Sequence, residues 1–377
     1  MNVLLLDTSF AAAPIYEALI SMEHSVWVMG NRANDVLAVR AEGKWISGDY
    51  SQLEAVQQYC DELKIEAIVP GCTDVSIETC TQVKLAENRC DTELVNRTLA
   101  DKGLFRELCE ELDLPSPKVV LNDSFPQKGE FICKPVDSFS GRGVSKFDGT
   151  SKTALENAIA LAEPEGTAYV IENFHQGELY SCSAFVKNQT LEQPFYVREG
   201  GAVNVYAVDT SYVVTDLPGE VMSVLEDALG KLCTRLELCD GLLHTQFILE
   251  QGKPYIIEMA RRCPGDLYSL LIEYSTGVPY AAKFAAAFTG DAVSECSSKS
   301  SSIVRHTIKS SEDCVYGGVE FEAPLPVRAN FPLMSIGGKL SVDGNNRAGI
   351  LFAEVSKPDQ MEVLYDRFLE QRVYSIT

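Results

Sequence analysis

Two stretches of the chain carry residues whose types and spacing could handle phosphate and a divalent cation. The first, FICKPVDSFSGRGVSKF, runs from Phe131 to Phe147. Its Lys134 closes a short apolar run that reads as a strand, a position from which an ammonium group can hold an α- or β-phosphate. In the loop Asp137 to Val144, Gly141 and Gly143 would let backbone amides approach phosphate oxygens, while Ser138 and Ser140 offer hydroxyl donors. No Gly-Lys-Ser or Gly-Lys-Thr ends this loop, so it is not of the Walker type. Taken alone, a two-glycine turn between strands is also an ordinary hairpin.

The second stretch, HTQFILEQGKPYIIEMARRCPGD, runs from His244 to Asp266. Gln246 and Glu258 fall on neighbouring strands, Leu242 to Glu250 and Pro254 to Met259, joined by Gln251-Gly252-Lys253, so their side chains can converge on one ion. Magnesium prefers hard oxygen donors together with substrate phosphates, which a carboxylate and an amide oxygen supply. Arg262, four residues beyond Glu258, could meet a phosphoryl group with a rigid, permanently charged fork. The bland alternative is that Glu258 and Arg262 only pair with each other or with a neighbour. Candidate substrate contacts are Arg305 and His306 at the start of a strand-like stretch, Arg328, and His244. Glu199 with Gly200-Gly201 could line the acceptor cleft, without an assigned role.

These residues need elements to hold them. Val3 to Leu6, Ser25 to Met29 and Ala67 to Val69 are short apolar runs alternating with helical stretches at Pro14 to Ile20 and Leu53 to Leu63. That alternation predicts a parallel sheet wrapped on both faces, with its ligand crevice near Asp7 to Ala12 and Pro70 to Asp74. No GxGxxG follows Leu6, which disfavours a nicotinamide or flavin role. A helix is expected over Asn96 to Leu112, ahead of the stiff connector Leu114-Pro115-Ser116-Pro117. Strands are expected at Phe131 to Pro135, Ala168 to Glu172, Leu179 to Phe185 and Gln193 to Tyr206, with helices at Lys152 to Leu161, Glu220 to Leu238 and Gln360 to Gln371. Ser294 to Ser300 reads as a polar linker or surface loop.

With 377 residues and 46% hydrophobic content, several lobes are expected rather than one core. The formal charge of -22, from 54 acidic and 32 basic residues, makes nucleic acid a poor partner. No apolar run approaches the roughly 18 residues of a membrane span, and Asp7 interrupts the apolar start of the chain, so neither a span nor a secretion signal is expected. The 12 cysteines are scattered singly without a CxxC pair. Reduced thiols in a cytoplasmic protein are the natural reading.

KPxDSxxGxGV, then ExxxxGE, then QFxLxxGxPYxIExxxR, in that order, resemble the ATP-grasp superfamily. The likeness is closest to its carboxylate-amine ligases, such as the L-amino acid ligases, and to the synthetase domains of the carbamoyl-phosphate synthase large subunit. It covers roughly Asn2 to Tyr280. It implies an α/β and α+β architecture: an N-terminal doubly wound domain over 1–97, a first grasp lobe over 98–166, a second over 167–290, and a region over 291–377 completing the catalytic domain. The resemblance further implies that Lys134 and Lys102 contact nucleotide phosphates and that Ser138 to Val144 form the phosphate-covering loop. Glu172, Asn173 and Phe174 would form the hinge beside adenine, and Glu178 would hold ribose hydroxyls. Gln246 and Glu258 would be the magnesium ligands, with manganese as a substitute, and Arg262 would steady an acyl phosphate. Glutamine at 246 and Ala260, where many members place glutamate and asparagine, depart from the pattern and favour one well-held ion over two. The activity implied is ATP-dependent joining of a small-molecule carboxylate to an amine, without nucleic acid or membrane, in a chain that could form a homodimer as relatives often do. The alternatives are a carboxylase or kinase-like enzyme of the same fold, or a non-catalytic nucleotide-binding protein.

Overall fold

The computed structural model describes residues 1–137, 141–165, 168–202, 204–294, 300–342 and 346–377. Ser138, Ser140 and much of the stretch Ser294 to Ser300 lie outside the described residues. The chain begins with β1 (Asn2–Leu6), β2 (Ser25–Gly30), β3 (Trp45–Ser47) and β4 (Ala67–Pro70), a parallel sheet in the order β3-β2-β1-β4. Helices α1 (Ala13–Ser21), α2 (Val36–Arg40), α3 (Leu53–Glu62) and α4 (Asp74–Gln82) alternate with these strands. Along β1, Val3 and Leu5 enter one core and Leu4 and Leu6 another. Burial on both faces explains why such strands read as continuous apolar runs instead of alternating ones.

The helix expected over Asn96 to Leu112 is two helices, α5 (Glu93–Ala100) and α6 (Lys102–Glu111). The chain is extended at Asp101, whose carboxylate accepts the Leu104 amide at 2.9 Å. That cap satisfies a donor at the start of α6 and sets Lys102 and Arg106 one turn apart on it. Next come β5 (Glu130–Pro135), β6 (Ser145–Asp148), α7 (Lys152–Ala162) and β7 (Tyr169–Asn173). The strands form an antiparallel sheet, β6-β5-β7, in which Phe131, Cys133, Phe147 and Ile171 pack against Leu155 and Ala158 of α7.

The largest sheet takes its strands from the rest of the chain: β8 (Glu178–Lys187), β9 (Thr190–Gly200), β10 (Thr210–Val214), β11 (Gly241–Glu250), β12 (Lys253–Ala260) and β13 (Ser302–Lys309). β16 (Val327–Pro332) and β18 (Arg347–Val355) complete it, while the short strands β14 (Cys314–Val315) and β17 (Lys339–Leu340), and β15 (Val319–Phe321) and β19 (Tyr374–Ile376), pair with each other in two small sheets. Among the described residues the antiparallel order is β12-β11-β8-β9-β10-β13-β18-β16.

The strand expected to reach Tyr206 stops at Gly200. A Cβ at Gly201 would fall 2.0 Å from the Asn204 carbonyl oxygen and 2.1 Å from that of Ala207, so the chain turns where only glycine fits.

Side chains alternate between the two faces of this sheet. One face carries Phe185, Val197, Ile303 and Phe352 into the same core as Val3 and Leu5, together with α9 (Tyr268–Thr276) and α10 (Tyr280–Thr289). The other face is covered by α8 (Gly219–Arg235) and α11 (Asp359–Leu369). On α8, Val221, Leu225, Ala228, Leu229 and Leu232 recur at helical spacing and are buried. Each such leucine contributes about 1.5–3 kcal/mol by leaving water. Among the described residues no helix is long and apolar enough to cross a membrane.

Candidate active site

Lys134, the last residue but one of β5, has its ammonium 2.7 Å from Glu172 Oε2 on the neighbouring β7. Arg106, from α6, donates Nε to Glu172 Oε1 at 2.7 Å and Nη2 to the Ile257 carbonyl at 2.8 Å. All three side chains are buried. Burial lowers the Lys134 pKa from its ordinary value, with Glu172 opposing. At Glu172 burial pushes upward, but Lys134 and Arg106 outweigh it and hold the carboxyl below its ordinary value. The trio thus carries one net positive charge out of water, and Arg106 Nη1 has no hydrogen-bond partner among the described residues. Lys102 joins the group at the first turn of α6, its ammonium 3.4 Å from the Val136 carbonyl. An anion meeting Lys134 and Lys102 would relieve an excess of positive charge.

The described part of the glycine loop, from Gly141, leads into β6. Gly141 and Gly143 have φ of 72° and 67°, left-handed values that glycine adopts freely. A Cβ at Gly141 would sit 2.7 Å from that of Tyr206, so the loop lies close to the turn after β9. Val144 leads from it into β6 and is half-buried. At the expected hinge, the Asn173 amide donates to the Lys118 carbonyl at 3.1 Å and the Phe174 amide to that of Glu130 at 3.0 Å. Those two donors are therefore committed to backbone carbonyls at Lys118 and at the start of β5. The Lys146 ammonium lies 4.4 Å from the Phe174 ring centroid.

Across the large sheet a polar row faces one way. Register sets Glu258 opposite Gln246, Gln246 opposite Ser181, Glu199 opposite Ser211, and Ser211 opposite Arg305. Gln246 Nε2 donates to Glu199 Oε2 at 2.6 Å, and the Ser181 hydroxyl donates to Glu199 Oε1 at 2.7 Å. Burial pushes the Glu199 carboxyl upward, while Ser181, Gln246 and Arg305 pull against it. Glu258 is exposed and accepts no hydrogen bond from a described residue. His244 is buried, with Nδ1 2.7 Å from the Ser183 hydroxyl and its ring edge-on to Tyr268. Burial, then Arg262, pushes its pKa down to about 3.

Gln246 and Glu258 offer one amide oxygen and one open carboxylate, a donor set that suits a magnesium ion sharing its shell with phosphates and water. Among the described residues no three His, Cys, Asp or Glu side chains cluster to hold a metal.

Beyond β12, Arg262 forms two hydrogen bonds to Asp74 at the start of α4. Arg305 donates Nε to Ser211 Oγ at 2.9 Å and Nη1 to the Asp266 carbonyl at 3.0 Å. Arg347 reaches Asp266 Oδ1 at 3.2 Å and lies 5.7 Å from the Phe10 ring centroid. Asp266 and Leu267 both have positive φ, 53° and 57°, a strained pair immediately before α9. In the first sheet, Asp7 accepts the Ser9 and Cys72 amides at 2.8 and 3.1 Å, binding the ends of β1 and β4 together. The crevice expected at Asp7 to Ala12 and Pro70 to Asp74 thus opens onto the arginines of the large sheet.

Three expected contacts are not brought to this cleft. His306 is buried on the opposite face of the sheet from Arg305, stacked on Phe368 and hydrogen-bonded to Thr210 at 2.7 Å and Tyr374 at 3.0 Å. Adjacent strand residues point to opposite faces, so Arg305 and His306 cannot share a pocket. Arg328 is exposed and sits over the Tyr274 ring at 5.4 Å. Glu178 pairs with Arg198 and accepts the Tyr180 hydroxyl at 2.9 Å, on the face covered by α8 and α11. Conversely, Arg106, Ser181, Tyr268 and Asp266 carry no expectation from the sequence, while Glu199 is expected only to line a cleft and Asp74 only to end the crevice of the first sheet. Only Arg106 had a local signal: it lies four residues after Lys102 on one helix face.

Residues 99–265 match the family model for the ATP-grasp domain. Solved structures align over the whole chain. The L-amino acid ligase from Bacillus licheniformis matches with a TM-score of 0.77 and 15% identity, covering 100% of this chain and 98% of that one. The phosphoribosylglycinamide synthetase from Anaerococcus prevotii matches with 0.74 and 14%, covering 100% and 99%. The biotin carboxylase domain of the 2-oxoglutarate carboxylase from Hydrogenobacter thermophilus, solved with MgADP, ADP and bicarbonate, matches with 0.75 and 14%, covering 100% and 90%. A search of curated proteins finds no match. At these identities the likeness is one of fold, and the chain has an ATP-grasp-like α/β architecture.

Proposed function

We propose that this chain is an ATP- and magnesium-dependent ligase that activates a small-molecule carboxylate as an acyl phosphate and couples it to an amine. The observation that carries the reading is the reach of Arg106. It joins Glu172, the partner of Lys134, to the Ile257 carbonyl beside Glu258, so the phosphate-holding cations and the open carboxylate are held together by one helix. In this reading 1–97 supply one wall of the substrate cleft, 98–166 and 167–290 grip the nucleotide, and 291–377 bring Arg305 and Arg347.

Lys134 and Lys102 hold the phosphates, and the loop with Gly141 and Gly143 covers them. Glu258 and the Gln246 amide oxygen hold magnesium, which when bound neutralises phosphate charge. A substrate carboxylate oxygen attacks the γ-phosphorus, the bond to the β-γ bridging oxygen breaks, and ADP leaves. An amine nitrogen then adds to the acyl carbon, phosphate departs, and the amine gives up a proton. Arg262 faces the charge that gathers on oxygen in both steps. Acyl phosphates hydrolyse in bulk water, so a loop that closes over the site protects the intermediate. His244 stays neutral and hydrogen-bonded, which suits a wall residue rather than a proton carrier.

Positional isotope exchange tests this reading. ATP labelled at the β-γ bridge should scramble when a productive carboxylate is supplied without amine, because reversible acyl-phosphate formation frees the β-phosphate to rotate. Scrambling that needs no carboxylate would instead favour a kinase-like or hydrolytic enzyme.

A further inference from the structure

Glu199 is a buried carboxylate in the middle of the polar row, and none of the steps above uses it. The strand order β12-β11-β8-β9 places Gln246 between Glu258 and Glu199. Glu199 is fixed from three directions. Its Oε1 accepts the Ser181 hydroxyl at 2.7 Å, its Oε2 accepts Gln246 Nε2 at 2.6 Å, and its backbone carbonyl accepts the Tyr365 hydroxyl at 2.8 Å. A primary amide has one donor end and one acceptor end. With Nε2 drawn toward β9, the oxygen is the end left for the side on which Glu258 lies.

We propose that Glu199 is a positioning residue: it holds the Gln246 amide in the one orientation whose oxygen, with the Glu258 carboxylate, can serve a magnesium ion. This rests on the magnesium reading given above. It also explains a glutamine at 246. A second carboxylate there would stand against Glu199 in a place with little water, where like charges are costly. The carboxyl group sits on the residue behind the ligand instead of on the ligand itself.

Substitution at position 246 should have an effect of opposite sign to simple coordination chemistry. Gln246→Glu adds a charged ligand, which on coordination grounds should tighten metal binding. Opposed by Glu199, it should weaken it. Glu199→Gln should weaken it as well, because an amide at 199 both donates and accepts and no longer selects one orientation of Gln246. The double variant Glu199→Gln/Gln246→Glu restores one charge and one complementary donor, so binding should recover.

The probe is Mn²⁺ binding to the protein with ADP, followed by electron paramagnetic resonance, with metal-free ADP binding and circular dichroism as controls. Each single variant should bind Mn²⁺ about 10-fold more weakly or worse, the range typical of partners behind metal ligands, and the double variant should return to within about 3-fold of the native protein. Gln246→Glu binding Mn²⁺ as tightly as the native protein, or a double variant no better than the weaker single one, would overturn the proposal. If Glu199→Gln does not fold, the sign of the Gln246→Glu effect decides alone. Absence of Mn²⁺ binding by the native protein with ADP would remove the magnesium reading and this inference together; native binding without coupling between the two positions would remove only the inference.

Discussion

Arg262 and Asp74 meet across the junction of the first sheet and β12, with Nε to Oδ1 at 2.8 Å and Nη2 to Oδ2 at 3.2 Å. Asp74 opens α4 just past the C-terminal end of β4, where an open α/β sheet places its ligands. The guanidinium therefore borders both the crevice of the first sheet and the strand that carries Glu258. A carboxylate already occupies its fork, in the geometry that a substrate oxyanion could take over.

If that exchange is part of turnover, the two partners respond differently to substitution. Arg262→Lys keeps a charge but loses the planar fork, and kcat should fall by about 10²–10³ with the KM for ATP little changed. Asp74→Asn weakens the competition for Arg262, and the KM for the carboxylate substrate should drop while kcat changes by only a few-fold. Steady-state kinetics with each substrate varied separately distinguishes the two patterns. Equal losses in all parameters for Asp74→Asn would mark the pair as purely structural.

The buried trio of Lys134, Glu172 and Arg106 makes a prediction about stability. Glu172→Gln leaves two cations in a place shielded from water, and removing one member of such a group costs about 3–5 kcal/mol. Urea unfolding should show that loss in the midpoint without a large change in slope. Lys134→Met removes one of the cations along with their excess charge, so it should cost less stability while raising the KM for ATP by about 10-fold or more.

Much of this architecture was legible because its signals are local. Continuous apolar runs announced β1, β2 and β4, and the turn at Gln251-Gly252 placed Gln246 opposite Glu258 in register. The break at Asp101 has no sign in the periodicity, because one capping hydrogen bond outweighs an otherwise unbroken helical pattern. Arg106 on α6 meets Glu172 on β7 across 66 residues, and Glu199 on β9 meets Gln246 on β11 across 47; no local pattern encodes contacts between elements so far apart in the chain. His306 shows the opposite error. Adjacency in sequence groups it with Arg305, although neighbouring residues on a strand face apart.

His306 gives a pH dependence. Burial, followed by the charges of Arg305 and Lys309, holds its pKa well below the ordinary 6.5. The unfolded chain takes up a proton at this residue near pH 6.5, whereas the folded chain does not until the pH is well below that. Stability should therefore fall on acidification from about pH 6.5, by at most about 1.4 kcal/mol per pH unit from this one group. His306→Gln cannot be protonated, so the difference in unfolding free energy between it and the native protein should narrow as pH falls from 7.5 to 5.5. A difference independent of pH would contradict the buried, neutral imidazole.

The central claim is that two small molecules are joined at the expense of ATP. It is tested most directly by ADP release with magnesium and ATP across a panel of amino acids, dipeptides, small diacids and amines, with product masses read in the same wells. The account predicts a carboxylate and an amine that together release ADP and yield a product of their summed mass less one water. ADP release with a single carboxylate and no condensed product at any amine, or a product carrying a stable phosphoryl or carboxyl group, would contradict it.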